Sequence, residues 1–214
     1  MNRTLRPIAL GALSMVLLAA CSEPQRDDSS PDDPAESTAA HVVTLAPGEY
    51  SWTTADGNTM PYVVTGEDDV TVLLVHCWMC DRSFWSKQVP VLSTRYRTIA
   101  VDLPGHGQAT AERENWRVAD FGEDVAGLIQ ALDLDNVVLV GHSMGGPVSL
   151  RTAALSGDRI RGVVAVDTLH DAEYEFPAEL IEQMTTAFAT DFSGTCSDFV
   201  KQMFPEEGVQ EVVN

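Results

Sequence analysis

The chain has 214 residues, 44% of them hydrophobic and 21% charged, which supports one buried core plus extensions and excludes disorder throughout. Its formal charge of -19 comes without a basic stripe, so nucleic acid is excluded as a partner: the summed field repels phosphates. The acidity otherwise reads as a solvated surface.

Met1 to Arg6 carries two arginines, an apolar stretch runs from Ile8 to Leu18, and Ala19-Ala20 precede Cys21. A basic start, a short apolar stretch and small residues are the parts of an export signal over residues 1–20, and the stretch is shorter than the roughly 20 residues a spanning helix needs. Leu18-Ala19-Ala20-Cys21 resembles the lipobox of bacterial lipoproteins, which implies cleavage before Cys21 and its lipidation as the new N-terminus. Ser22, where inner-membrane lipoproteins usually carry aspartate, points to an outer leaflet if the cell has two membranes; a plain secretory signal is the alternative. From there to Ala40 come Asp27-Asp28, Pro31-Asp32-Asp33-Pro34 and Glu36 with no large apolar residue. Such a segment cannot pack, and proline with like-charge repulsion keeps it extended, so residues 21–40 read as a tether.

The folded part is expected to start near His41, with a core over residues 41–168. Tyr62 to Val64, following the turn Asp56-Gly57-Asn58, then Val70 to Val75 and Thr98 to Val101, read as strands. Asp81 to Leu92 reads as a helix, as does Trp116 to Leu132, where Val118, Phe121, Val125, Leu128, Ile129 and Leu132 share one face. Val137 to Val140 and Gly162 to Val166 are further apolar strands. Doubly apolar strands alternating with helices imply an α/β fold with a parallel sheet covered on both faces. After Asp167 the pattern changes to two helices, Pro177 to Phe188 and Ser197 to Phe204, with apolar residues at helical spacing and no strand between. Residues 169–214 are therefore expected to form part of a helical cap lying as a lid over the carboxyl edge of the sheet.

Between the strand ending at Val140 and the helix-prone Pro147-Val148-Ser149-Leu150 stands Gly141-His142-Ser143-Met144-Gly145-Gly146. A serine at the apex of a strand-turn-helix corner, flanked by Gly141 and Gly145, has its hydroxyl pushed out over the sheet edge.

That elbow, with His76-Cys77-Trp78 after one buried strand and Asp102-Leu103-Pro104-Gly105-His106-Gly107 after the next, resembles the alpha/beta-hydrolase superfamily, specifically its capped members, from about Pro61 onward. The resemblance implies that Ser143 attacks an acyl carbonyl and that the main-chain N–H groups of Met144 and Trp78 hold the oxyanion. Cys77 departs from the glycine usual in the family, which bears on the placement of the Trp78 N–H. His76, His106 and His142 read as structural, because they belong to other layers of the family site than the general base.

In this family an acid and then a histidine follow the serine in chain order. The last histidine here is His170, and the family's final two strands and histidine loop are not present. Three explanations stand: a fragment of a longer enzyme, a chain that has lost catalysis, or His170 as base with Asp167 or Asp171 orienting it. Asp167 lies where the family sometimes supplies the acid.

Besides Cys21, the cysteines are Cys77, Cys80 and Cys196 in an exported, oxidising setting. A bridge from Cys80 to Cys196, tying the cap to the loop beside the active edge, is expected. Cys77-Trp78-Met79-Cys80 also imitates a thiol-redox C-x-x-C, although it stands far along the chain after strands of another fold. The histidines are scattered without paired-ligand spacing, so no metal is expected, and serine chemistry needs no cofactor. The resulting expectation is an exported, lipid-anchored serine hydrolase acting on a small-molecule acyl substrate through an acyl-enzyme. The alternatives are an inactive binding protein of the same fold and a thiol redox protein.

Overall fold

Val72 and Leu74 face one side of the central sheet while Leu73 and Val75 face the other, and all four are buried, so strand β3 (Thr71–Val75) needs cover on both faces. The structure, a computed structural model, describes residues 45–114, 116–169 and 175–203. The expected export signal, Cys21, the tether, His41 and His170 lie outside the described residues. Two compact units divide between His170 and Asp171.

In the first unit, β1 (Gly48–Thr53), β2 (Thr59–Thr65), β3, β4 (Arg97–Val101), β5 (Val137–His142) and β6 (Ile160–Val166) form one sheet in the order β1-β2-β4-β3-β5-β6. The four strands β4, β3, β5 and β6 are parallel, and β2 joins β4 antiparallel with Tyr62 opposite Val101. This is an α/β fold with a mostly parallel sheet flanked by helices, as the alternation of elements predicts. β1 is an addition to the expected elements: Tyr50 and Trp52 alternate with exposed Glu49 and Ser51, and the strand pairs with β2 across the turn closed by the Thr54 N–H to the Asn58 carbonyl at 2.8 Å. That period-two pattern is visible in the sequence but short and weakly apolar.

The segment Asp81 to Leu92 is not one helix. A 3-10 turn (Arg82–Trp85) and a four-residue helix α1 (Val89–Leu92) replace it, because Pro90 has no N–H to donate and its ring would clash with the carbonyl one turn back in a continuous helix. Val89, Leu92 and Trp85 close over Val72, Leu74 and Ala100 on one face of the sheet. On the other face, α2 (Val118–Ala131) and α3 (Gly145–Ser156) cover the larger core, with Phe121, Val125, Leu128, Ile129 and Val148 packed against Met60, Leu73, Ile99 and Leu139. The cover thins at β6, the last strand of the described sheet, where Val164 and Val166 are 46% and 37% exposed.

The second unit contains α4 (Ala178–Thr190) and α5 (Phe192–Met203). Phe188 meets Phe192 and Phe199 at ring-centroid distances of 6.0 and 6.4 Å. α5 begins before the expected Ser197, because the Asp191 carboxylate accepts the Gly194 N–H at 2.9 Å and supplies a start signal the apolar spacing does not contain.

Leu128 is fully buried under the sheet, so Leu128→Ala removes its transfer free energy and leaves a cavity. Urea unfolding is expected to show a loss of about 2–5 kcal/mol.

Candidate active site

Ser143 follows the last residue of β5 and precedes α3, and its φ of 50° puts a non-glycine side chain in the left-handed region. Such a conformation costs on the order of 1–3 kcal/mol and persists only where its surroundings over-determine it. Here the Ser143 N–H donates to the Val166 carbonyl of β6 at 3.0 Å, and the Gly146 N–H returns to the Ser143 carbonyl at 2.9 Å. Two glycines make the corner sterically feasible. A methyl on Gly141 would overlap the Gly145 carbonyl, and one on Gly145 would overlap the carbonyls of Val75 and His76. The elbow therefore docks backbone to backbone on the loop leaving β3. Ser143 itself is half-buried, and among the described residues nothing hydrogen-bonds its hydroxyl.

Met144 is the N-cap of α3, so its N–H belongs to the helix start, where donors have no intrahelical partner and the helix dipole favours negative charge. Trp78 lies on the loop against which the elbow docks, in a turn closed by the Cys80 N–H to the Cys77 carbonyl at 3.3 Å, with Met79 at φ 61°. The structure thus carries Met144 and Trp78 on two segments that meet at Gly145.

Both ends of the Trp78 loop are tied down. His76 is fully buried; its Nδ1–H donates to the Cys77 carbonyl at 2.8 Å, and its Nε2 accepts the Leu103 N–H at 3.0 Å, which fixes the neutral tautomer. Burial holds its pKa below the usual imidazole range. At the other end Asp102, 1% exposed, accepts the Arg82 N–H at 2.8 Å, the Arg82 guanidinium, and the Gln108 N–H at 3.0 Å. Arg82 was not among the expected site residues; the signal for it is an aspartate ending an apolar strand, which must find a partner when buried. His106 turns its Nδ1 to the Pro104 carbonyl at 3.0 Å, and His142 stacks on Phe84 at 4.6 Å between centroids, its pKa lowered chiefly by burial. His76 and His106 thus each bond a loop carbonyl, whereas the buried Nδ1 of His142 has no hydrogen-bond partner among the described residues.

Asp167 directly follows β6, in which Val166 pairs with His142, so the structure places it at the same sheet edge as Ser143, with φ 46°. His170, the expected substitute base, lies outside the described residues. The cysteine expectation is corrected: Cys80 is bonded to Cys77, not to Cys196, because the tight turn brings the two Cα atoms to 5.3 Å, within ordinary disulfide reach. Cys196 sits on α5, outside that bridge. A cleft of about 490 Å³ lined by Asp56, Glu112, Arg113, Asp120 and Asp124 contains none of the serine-site residues. It is a structural ion-pair region, in which buried Arg113 joins Asp56 at 2.7 Å and Asp124 at 2.8 Å beside the rings of Trp116 and Phe121.

The family model described as the alpha/beta hydrolase fold matches residues 70–204. Over 76 residues the chain is 43% identical to a 2-(acetamidomethylene)succinate hydrolase from Mesorhizobium japonicum, a stretch that covers 36% of this chain and 27% of that protein. Among solved structures, a hydrolase from Pseudomonas aeruginosa superposes with a TM-score of 0.67 at 26% identity, covering 78% of this chain and 63% of that one. An esterase from Rhodococcus sp. is 31% identical with a TM-score of 0.51, over 56% of this chain and 46% of that one. The chain spans 26%, 27% and 41% of the length of three curated relatives it matches.

Asp102→Ala strands the Arg82 guanidinium and two main-chain donors, and is expected to cost about 3 kcal/mol in urea unfolding. For His76, the depressed folded pKa means that the unfolded chain binds more protons once pH drops below about 6.5. Its contribution to stability is therefore complete above that pH and lost as pH falls through the folded pKa. The unfolding free energy from urea titrations between pH 7 and 5 is expected to fall more steeply for the wild type than for His76→Gln, by up to about 1.4 kcal/mol per pH unit.

Proposed function

Because the chain belongs to the alpha/beta-hydrolase fold family, we propose that it is a serine hydrolase which cleaves an ester-like bond of a small acyl substrate through an acyl-enzyme on Ser143. The observation that carries this reading is the strained serine at φ 50°, at the start of α3 and against the loop of Trp78. In this mechanism the Ser143 oxygen attacks the carbonyl carbon as its proton passes to a base, and the tetrahedral oxyanion takes hydrogen bonds from the N–H groups of Met144 and Trp78. Main-chain donors held by folded segments need no reorganisation as charge develops, and each is worth about 2.7–4 kcal/mol by the subtilisin comparison. Collapse of the adduct expels the alcohol, and water releases the acyl group by the same route in reverse. A serine at the elbow, where an aspartate would form an alkyl ester with epoxides or haloalkanes, favours acyl transfer.

In this reading Asp167, next to Val166 at the sheet edge that carries Ser143, supplies the acid, and His170 or a histidine of a longer chain the base. The names of the hydrolase and esterase relatives agree with hydrolytic chemistry. The same reading includes export, lipidation at Cys21 and a tether that holds the enzyme off the membrane surface, on the strength of the N-terminal sequence.

The test is hydrolysis of a short p-nitrophenyl ester by the full-length protein, with fluorophosphonate labelling read by mass spectrometry. The label is expected on Ser143, and Ser143→Ala is expected to lower kcat by roughly 10⁶-fold, the scale for removal of a serine nucleophile. Activity that survives the substitution, or a label on another residue, rules the proposal out.

A further inference from the structure

The Trp78 loop is anchored at its start by His76 against Leu103 and at its end by Arg82 against Asp102. Between them Trp78 and Met79 span the tip of a turn that the Cys80 N–H closes onto the Cys77 carbonyl at 3.3 Å. Met79 holds φ 61° there, a conformation unfavourable for a side chain of its kind. The Cys77–Cys80 disulfide closes the same turn covalently. A ring of so few residues removes little entropy from the unfolded chain, so the bridge adds little to global stability. Its effect falls on the two residues it encloses.

We propose that the Cys77–Cys80 disulfide is a positioning element for the oxyanion-binding N–H of Trp78, so that ester hydrolysis depends on the oxidation state of this pair. The inference rests on the serine-hydrolase reading above. A glycine at position 77 would let the loop approach the substrate through flexibility; here a buried, bridged cysteine restricts the loop. Reduction by a dithiol breaks the S–S bond and delivers two electrons and two protons. Two thiols form on Cys77 and Cys80, and the dithiol leaves as its cyclic disulfide. The anchors at His76 and Arg82 remain, so what is lost is the covalent restriction on the backbone of Trp78 and Met79, while the sheet and core persist.

The experiment compares the oxidised full-length protein with the same protein after dithiothreitol, and with Cys80→Ala, on a short p-nitrophenyl ester. Reduction is expected to lower kcat at least about tenfold, toward the 10²–10³-fold cost of losing one oxyanion donor, with KM within twofold. Affinity for a boronic acid that forms a tetrahedral adduct is expected to fall in parallel, far-UV circular dichroism to stay unchanged, and diamide reoxidation to restore kcat. Cys80→Ala is expected to match the reduced enzyme and to ignore the dithiol. A kcat within twofold in both reduced and variant forms overturns the inference, as does a loss that tracks unfolding or that leaves boronate affinity untouched. Ser143→Ala in parallel separates the two levels. Hydrolysis that survives it overturns the serine-hydrolase reading and this inference together, whereas Ser143-dependent hydrolysis indifferent to the dithiol overturns this inference alone.

Discussion

The contact between the Gly145 backbone and the carbonyls of Val75 and His76 is the constraint on which the rest of the site depends. It brings the turn after β5 and the loop after β3 together with no side chain between them. The φ of Ser143 is tolerable because that corner is held from two sides, by the Val166 carbonyl on one and by the β3 loop on the other. A small increase in separation would release the strain and also part Met144 from Trp78. The same contact therefore sets both the fold of the corner and the spacing of the segments that carry Met144 and Trp78.

Behind it, the apolar core makes the corner stiff. β3 and β5 run parallel in register, and both are pinned between α2 and α3 on one face and α1 with Trp85 on the other. Two buried polar groups in this setting each join two loops: His76 links the β3 loop to Leu103, and Asp102 links it to Gln108. Removing one partner leaves a desolvated group behind, so these pairs act as specific latches more than as sources of net stability. In the proposed mechanism the start of α3 offers a positive dipole end to the oxyanion.

Much of the architecture was legible from residue pattern. The apolar runs of β3, β4 and β5 and the one-sided stripe of α2 have periods that report which faces need burial, and glycines flanking a serine between strand and helix report a corner that larger residues cannot form. The signal for β1 is only Tyr50 and Trp52, too short to stand out, and Pro90 is the residue that breaks the expected helix over Asp81 to Leu92. In the site, Ser143, Trp78 and Met144 were named from the motifs, but Arg82 was not, since a surface-type residue gains a role only through the aspartate it meets.

The cysteines mark the boundary between the two kinds of information. Spacing shows that Cys77 and Cys80 are three residues apart, yet it does not say whether the chain between them turns or extends; the turn at Met79 decides it, and with it the partner of Cys80. Sequence alone determined the class of fold and the serine corner between β5 and α3, because these follow from local period and local sterics. Tertiary structure alone decided the cysteine pairing, the latch of Asp102 on Arg82 and the neutral state of His76. Each of those arises between segments distant in the chain or from burial, and neither distance in space nor burial is a property of any one stretch of residues.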